Sequence, residues 1–197
     1  MKTALADVYL VRHGETEWTV SGQHTGLTDL PLTLSGEEQA RRLKPRLAAM
    51  TFTKVFSSPL RRATRTCELC GYGAVAETEP DLIEWNYGDY EGRTRPEILA
   101  QRPGWLIFRD GCPDGESPRD VGIRADRALS RIREVNGNVL VFSSGHFLRV
   151  LIARWLGLDP SGGRYFKLGT AALSILGYDH NHHAEPVIRL LNEIVVG

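Results

Sequence analysis

The chain has 197 residues, with 24 Lys and Arg against 24 Asp and Glu for a formal net charge of zero. That length suits one domain with a sizeable core, and the balanced charge argues against nucleic acid or an anionic membrane surface as the bulk partner. No apolar run is long enough to cross a bilayer, residues 1–7 lack the apolar stretch of a secretory leader, and the odd set Cys67, Cys70 and Cys112 fits free thiols in a reducing compartment, so the expected location is cytoplasmic.

Extended and helical patterns alternate along the chain, which predicts an α/β fold on a mostly parallel sheet. Val8-Tyr9-Leu10-Val11 reads as a buried strand that ends on Arg12-His13-Gly14-Glu15-Thr16. Ser35 is the expected N-cap of the next helix, with Glu38 closing a capping box, and Ala40, Leu43, Leu47 and Met50 form its buried face. Pro45 is expected to kink that helix or end it early. Val55-Phe56 predicts a second strand, ending in Ser57-Ser58-Pro59.

The helix after it carries Leu60, Ala63, Cys67 and Cys70 on one stripe. Its Cys-x-x-Cys lacks a second thiol pair or a nearby histidine, so core packing is expected instead of a redox or zinc role. Ala74-Val75-Ala76 suggests an edge strand, and residues 93–116, rich in proline and glycine, a loop-rich excursion with one short helix and a pocket wall. Ser117 and Pro118 open a helix whose buried face is Val121, Ala125, Ala128, Leu129 and Ile132. Val139-Leu140-Val141-Phe142 is a third buried strand, ending in Ser143-Ser144-Gly145-His146 ahead of an apolar helix that stops at Gly157. A hairpin of residues 173–176 and 187–190 closes the chain, with His180, His182 and His183 at an exposed tip.

Ligands of open α/β sheets gather outside the carboxyl ends of the strands. Three strands here end in Arg12-His13, in Ser57-Ser58 with Arg61 and Arg62 just beyond, and in Ser143-Ser144-Gly145-His146. If those strands are neighbours, the groups converge beside two helix N-termini whose N–H donors suit an anion. The pattern predicts a phosphate site centred on His13.

Residues 12–16, Thr25-Gly26-Leu27-Thr28-Asp29, Ser58-Pro59-Leu60-Arg61-Arg62-Ala63, Leu82-Ile83-Glu84, Glu91-Gly92 and Gly145-His146 together resemble the histidine phosphatase superfamily, the phosphoglycerate mutase-like proteins. The stretch from Glu84 to Gly92, with Arg109-Asp110-Gly111-Cys112, is most similar to its acid phosphatase and sugar-bisphosphatase branch. The resemblance implies a three-layer sandwich with helices on both faces of the sheet. It implies His13 as the nucleophile that forms a phosphohistidine, Arg12 and Arg62 as the phosphoryl clamp, and Glu84 as general acid and base. Backbone N–H groups near Thr25, Gly26, Gly145 and His146 would cradle the phosphate. Trp85, Tyr87, Tyr90, Trp105 and Phe108 are candidates for a substrate wall, and Arg93, Arg95 or Arg109 for a grip on a second phosphate.

The resemblance implies neither a cofactor nor a metal, since arginines supply the positive charge. The expected partners are a small-molecule phosphate ester and a second copy of the chain, with no nucleic acid and no membrane. Relatives place a second catalytic histidine where this chain has Ser144, and His146 follows two residues later. Ser144 as a neutral donor, His146 as a substitute, and a weakly active phospho-ligand binder are the three readings of that departure. The compact excursion after Glu84, with Thr19 and Gln23 in the first loop, favours hydrolysis over a phosphoglycerate mutase.

Overall fold

The computed structural model describes residues 5–195, so the reading of residues 1–7 falls partly outside them. In chain order the elements are β1 (Val8–Arg12), α1 (Glu17–Ser21), α2 (Leu34–Ala48), β2 (Lys54–Ser57), α3 (Arg61–Leu69), β3 (Ala76–Thr78), α4 (Arg95–Gln101), α5 (Ile107–Asp110), α6 (Pro118–Arg133), β4 (Val139–Ser143), α7 (Gly145–Trp155), β5 (Leu173–Tyr178) and β6 (Pro186–Glu193). The strands form one six-stranded sheet in the order β3-β2-β4-β1-β5-β6. The first four are mutually parallel, and β5 and β6 are antiparallel additions.

Alternation along the strands explains the layers. Val8, Leu10, Val139 and Val141 face one way and pack with Val121, Ala125, Leu148 and Trp155 of α6 and α7. Tyr9, Val11, Leu140 and Phe142 face the other way and pack with Leu43 and Leu47 of α2 and Cys67 of α3. Successive side chains of a strand point to opposite faces, so a strand apolar at every position must be covered on both. The result is the expected three-layer α/β sandwich.

Register brings the chemistry together. Arg12 lies opposite Ser143, and Ser57 lies opposite Phe142, so the carboxyl ends of β1, β2 and β4 share one edge. The C-terminal hairpin also forms as expected, and His180, His182 and His183 are exposed at its turn. Ser117 caps α6 in a capping box with Asp120.

Several local expectations are corrected. Thr33, not Ser35, caps α2, because its hydroxyl both accepts from the Gly36 N–H at 2.9 Å and donates to Glu15 Oε1 at 2.7 Å, a contact made only in the folded chain. Pro45 does not end α2, which runs on to Ala48; it sits on the exposed face of the helix. The edge strand starts at Ala76, since Val75 is held in a turn by its N–H to Tyr72 O. The excursion holds two short helices, α4 and α5. Cys67 and Cys70 are free thiols buried in the core, and burial pushes both up to about 12, far from reactive thiolate. No helix among the described residues is long and apolar enough to cross a membrane.

Candidate active site

His13 leaves β1 with its backbone N–H donated to Ser143 O at 2.9 Å, which ties the residue to β4. Its Nδ1 lies 2.8 Å from Gly14 O and donates to that carbonyl, since a carbonyl can only accept. The proton is therefore on Nδ1 and Nε2 carries the lone pair. Burial first, then the Arg62 and Arg12 guanidinium groups, hold the imidazole well below its ordinary 6.5, so it is neutral at pH 7.

The two arginines are built in rather than loosely placed. Arg12 donates through Nη1 to Leu168 O at 2.6 Å, while its Nε is buried without a partner. Arg62 is fully buried, and its Nη groups donate to Thr28 O, Thr25 O and Gly26 O at 2.8–3.1 Å, again leaving Nε unpaired. Two buried cationic N–H groups without protein acceptors act on one unprotonated imidazole, a combination suited to an anion. Gly145 lets Arg12 approach closely: a Cβ there would stand 3.1 Å from Arg12 Nε and 3.2 Å from its Cζ, and the guanidinium would have to give by a few tenths of an ångström.

Glu84 occupies the N-terminus of α7. Its Oε1 accepts from Phe147 N at 2.7 Å and Trp85 N at 2.9 Å, and its Oε2 from His146 N at 3.0 Å. This corrects the expectation that the His146 N–H cradles the phosphate: the N–H groups of His146 and Phe147 at the helix terminus are taken by the protein's own Glu84 carboxyl group. Behind it, buried Arg124 of α6 donates to the carbonyls of Asp81, Ile83 and Glu84 and makes a two-pronged pair with Glu116. The loop carrying Glu84 is thereby pinned to α6.

The cavity over His13 is lined by Arg12, Thr25, Glu84, Tyr87, Gly145 and His146 among the residues the sequence pointed to. Arg62 and Ser144 lie behind it, both fully buried, and Ser144 Oγ has no hydrogen-bond partner. His146 is fixed in the wall: Nδ1 is 2.6 Å from Tyr87 Oη, and the ring packs edge-to-face on Phe108 at 5.3 Å. Moving it towards the phosphate would break that hydrogen bond.

Two expected substrate contacts are corrected. The Gly26 N–H is taken by Glu91 Oε1, and a Cβ on Gly26 would meet Glu91 Oε2 at 2.5 Å, so this glycine serves loop packing. Trp85 is fully buried with Nε1 on Glu116 O and does not reach the cavity, and Tyr90 likewise belongs to the core. Sequence reasoning missed His24, Trp18 and Arg149, all of which line the cavity. Arg149 lies one turn beyond His146 on α7, a spacing that placed it on the same face. His24, with Nδ1 donating to Arg93 O at 2.7 Å, gave no signal beyond its place next to Thr25.

The histidine phosphatase superfamily (branch 1) matches residues 8–193. An acid phosphatase of Mycobacterium tuberculosis is 41% identical over 175 residues, covering 87% of this chain and 86% of that protein. The sedoheptulose 1,7-bisphosphatase of Saccharomyces cerevisiae is 39% identical over 181 residues, covering 76% of this chain and 67% of its own. A solved structure of an open reading frame product from M. tuberculosis superimposes with a TM-score of 0.92 at 37% identity, covering 97% of this chain and 99% of the other. The chain belongs to the histidine phosphatase superfamily, as a phosphoric monoester hydrolase.

Proposed function

We propose that the protein hydrolyses small phosphomonoesters, sugar phosphates or bisphosphates among them, through a phosphohistidine on His13 and without a metal ion. The observation that carries this is the His13 ring: Nδ1–H anchored on Gly14 O, Nε2 left as the nucleophile, and an unpaired guanidinium Nε on Arg12 and on Arg62.

In the first step the Nε2 lone pair attacks phosphorus, the bond from phosphorus to the ester oxygen breaks, and Glu84 in its acid form gives its proton to the departing oxygen. In the second step water attacks the phosphohistidine, its proton passes to the Glu84 carboxylate, and the P–N bond breaks to release phosphate. Each half returns what the other used. The arginines bind the equatorial oxygens and oppose the charge that builds there, which is the work a divalent cation does in other phosphatases. The acid phosphatase and sugar-bisphosphatase relatives support small, varied esters as substrates.

Ser144 is where the proposal predicts a cost. A hydroxyl is a neutral donor, about half as strong as a charged one, and His146 is held elsewhere by Tyr87. Turnover is therefore slow but real. The same residue favours a second reading, in which the pocket binds phosphate esters and hardly releases them.

The deciding experiment is a panel of aryl and sugar phosphates with chelator present, run on wild type and His13→Ala, with acid-labile phosphate on His13 assayed in parallel. Turnover of wild type with a trapped phosphohistidine supports hydrolysis. Tight ester binding with neither turnover nor trapped phosphate supports the binder. Isomerisation stimulated by a bisphosphorylated primer would replace both readings with a mutase.

A further inference from the structure

A second cavity, of about 260 Å³, opens from the one over His13 and shares His24, His146 and Arg149 with it. Trp105 and Phe108 line it, and both are held in place. Trp105 Nε1 donates to Gly111 O at 2.8 Å, and the Arg149 guanidinium lies over the Phe108 ring at 4.4 Å. The imidazoles of His24 and His146 stack 6.1 Å apart at 13° between the two cavities. A group leaving the phosphorus on the side of Glu84 and His146 has this space beside it.

The charge of the wall is one-sided. Four arginines line the side cavity and no carboxylate does. Arg109 is neutralised by Asp110. Arg149 hydrogen-bonds to the carbonyls of Gly163 and Arg164, and Arg164 to the Tyr165 hydroxyl, so neither is in a direct ion pair among the described residues, although Arg149 feels the Glu84 carboxyl from further off. Arg95 has no partner among the described residues. The candidates for a second anion grip thus sort themselves: Arg93 is engaged by Gln101 and Arg109 by Asp110, while Arg95 is free and Arg149, unsuspected from sequence, stands nearest the reaction.

We infer that the side cavity binds the leaving group, and that it selects phosphomonoesters whose leaving group joins an apolar body to a second anionic group. Exposed Leu106 and the half-buried imidazoles of His24 and His146 offer the apolar contact, backed by the buried Trp105 and Phe108. Arg95, Arg149 and Arg164 match the anion, with Arg149 partly shielded from water, where its attraction is strongest. A polyol phosphate would leave the apolar lining uncovered, and a neutral aryl phosphate would leave the cations unmatched.

This inference rests on the proposed hydrolase reading for the placement of the phosphoryl group, so its test uses binding as well as turnover. Benzylphosphonate and 4-carboxybenzylphosphonate cannot be hydrolysed, and the difference between their calorimetric affinities reports the side cavity. The carboxylated ligand is expected to bind about tenfold tighter, with the preference shrinking when ionic strength is raised to about 0.5 M. Arg95→Gln and Arg164→Gln are each expected to narrow the ratio, and the double variant to narrow it further, with Arg149 keeping the remainder. Equal affinities in wild type, or a ratio untouched in the double variant, overturn the inference. In turnover, kcat/KM is expected to fall in the order 4-carboxyphenyl phosphate, phenyl phosphate, glycerol 2-phosphate, with the first difference carried by KM. Preferential phosphonate binding without hydrolysis of any ester would sink the hydrolase reading and leave the cavity's selectivity standing.

Discussion

One backbone carbonyl decides what His13 can do. With Gly14 O holding Nδ1–H, the imidazole has no tautomer to choose, and burial between two guanidinium groups keeps it unprotonated. His13→Ala is expected to lower turnover by about a thousandfold or more while leaving ester binding largely intact; wild-type rates in a contaminant-free preparation would refute the nucleophile. Under the proposed mechanism Ser144 is the complementary case, a buried neutral hydroxyl where the resemblance implies a second histidine. Ser144→His is expected to raise kcat roughly 5- to 30-fold, the difference of about 1–2 kcal/mol between neutral and charged hydrogen bonds. An unchanged kcat in a correctly folded Ser144→His protein would show that this position does not face the phosphoryl group. At this scale the place of Arg12 and His13 in the cavity was legible, because both follow directly on a buried strand whose carboxyl end faces the ligand side of the sheet. The engagement of the His146 and Gly26 N–H groups was not, since their acceptors, Glu84 and Glu91, are 62 and 65 residues away in sequence.

Helix α7 and the loop before Trp85 work as one unit. The helix terminus orients the Glu84 carboxylate, and Arg124 of α6 ties down the carbonyls on either side of it. Arg124 touches no reacting atom, so it is a positioning residue. Arg124→Lys keeps the charge but loses the fork that spans Glu116 and the loop. The expected result is a drop in kcat of about tenfold for alkyl phosphates, whose departing oxygen needs a proton, and much less for p-nitrophenyl phosphate, whose leaving group needs none. Equal losses on both esters would mean that Arg124 only supports the fold. The elements themselves were largely readable: strands from continuous apolar runs, α6 from its Ser117-Pro118 start. The miss at Ser35 came from a competing tertiary bond, since Thr33 gains a second partner in Glu15 that no local rule contains.

Across the whole molecule, three imidazoles share one pocket, and all three are shifted in the same direction. His13, His24 and His146 each lie below 6.5, with burial as the largest cause in every case. A histidine harder to protonate when folded makes the unfolded state bind more protons, so stability is present above about pH 6.5 and is lost as pH falls below it. His13 and His146 each contribute a slope of up to about 1.4 kcal/mol per pH unit, and the half-buried His24 less. The melting temperature is expected to fall steadily from pH 7 to pH 5, and bound inorganic phosphate to restore part of it by mass action. A melting temperature flat across that interval would contradict the buried neutral imidazoles.

The amino-acid order alone determined the fold class and the strands whose ends bring Arg12, His13 and Ser144 to one edge of the sheet. Those features follow from periodicity and residue type, which act over a few positions at a time. Only the tertiary structure decided which N–H groups remain for a phosphate, that Arg62 spends its outer nitrogens on residues 25–28, and that His24 and Arg149 join the pocket. Each of those is a competition for a hydrogen bond or a charge between groups far apart in the chain, and no local pattern records who wins it.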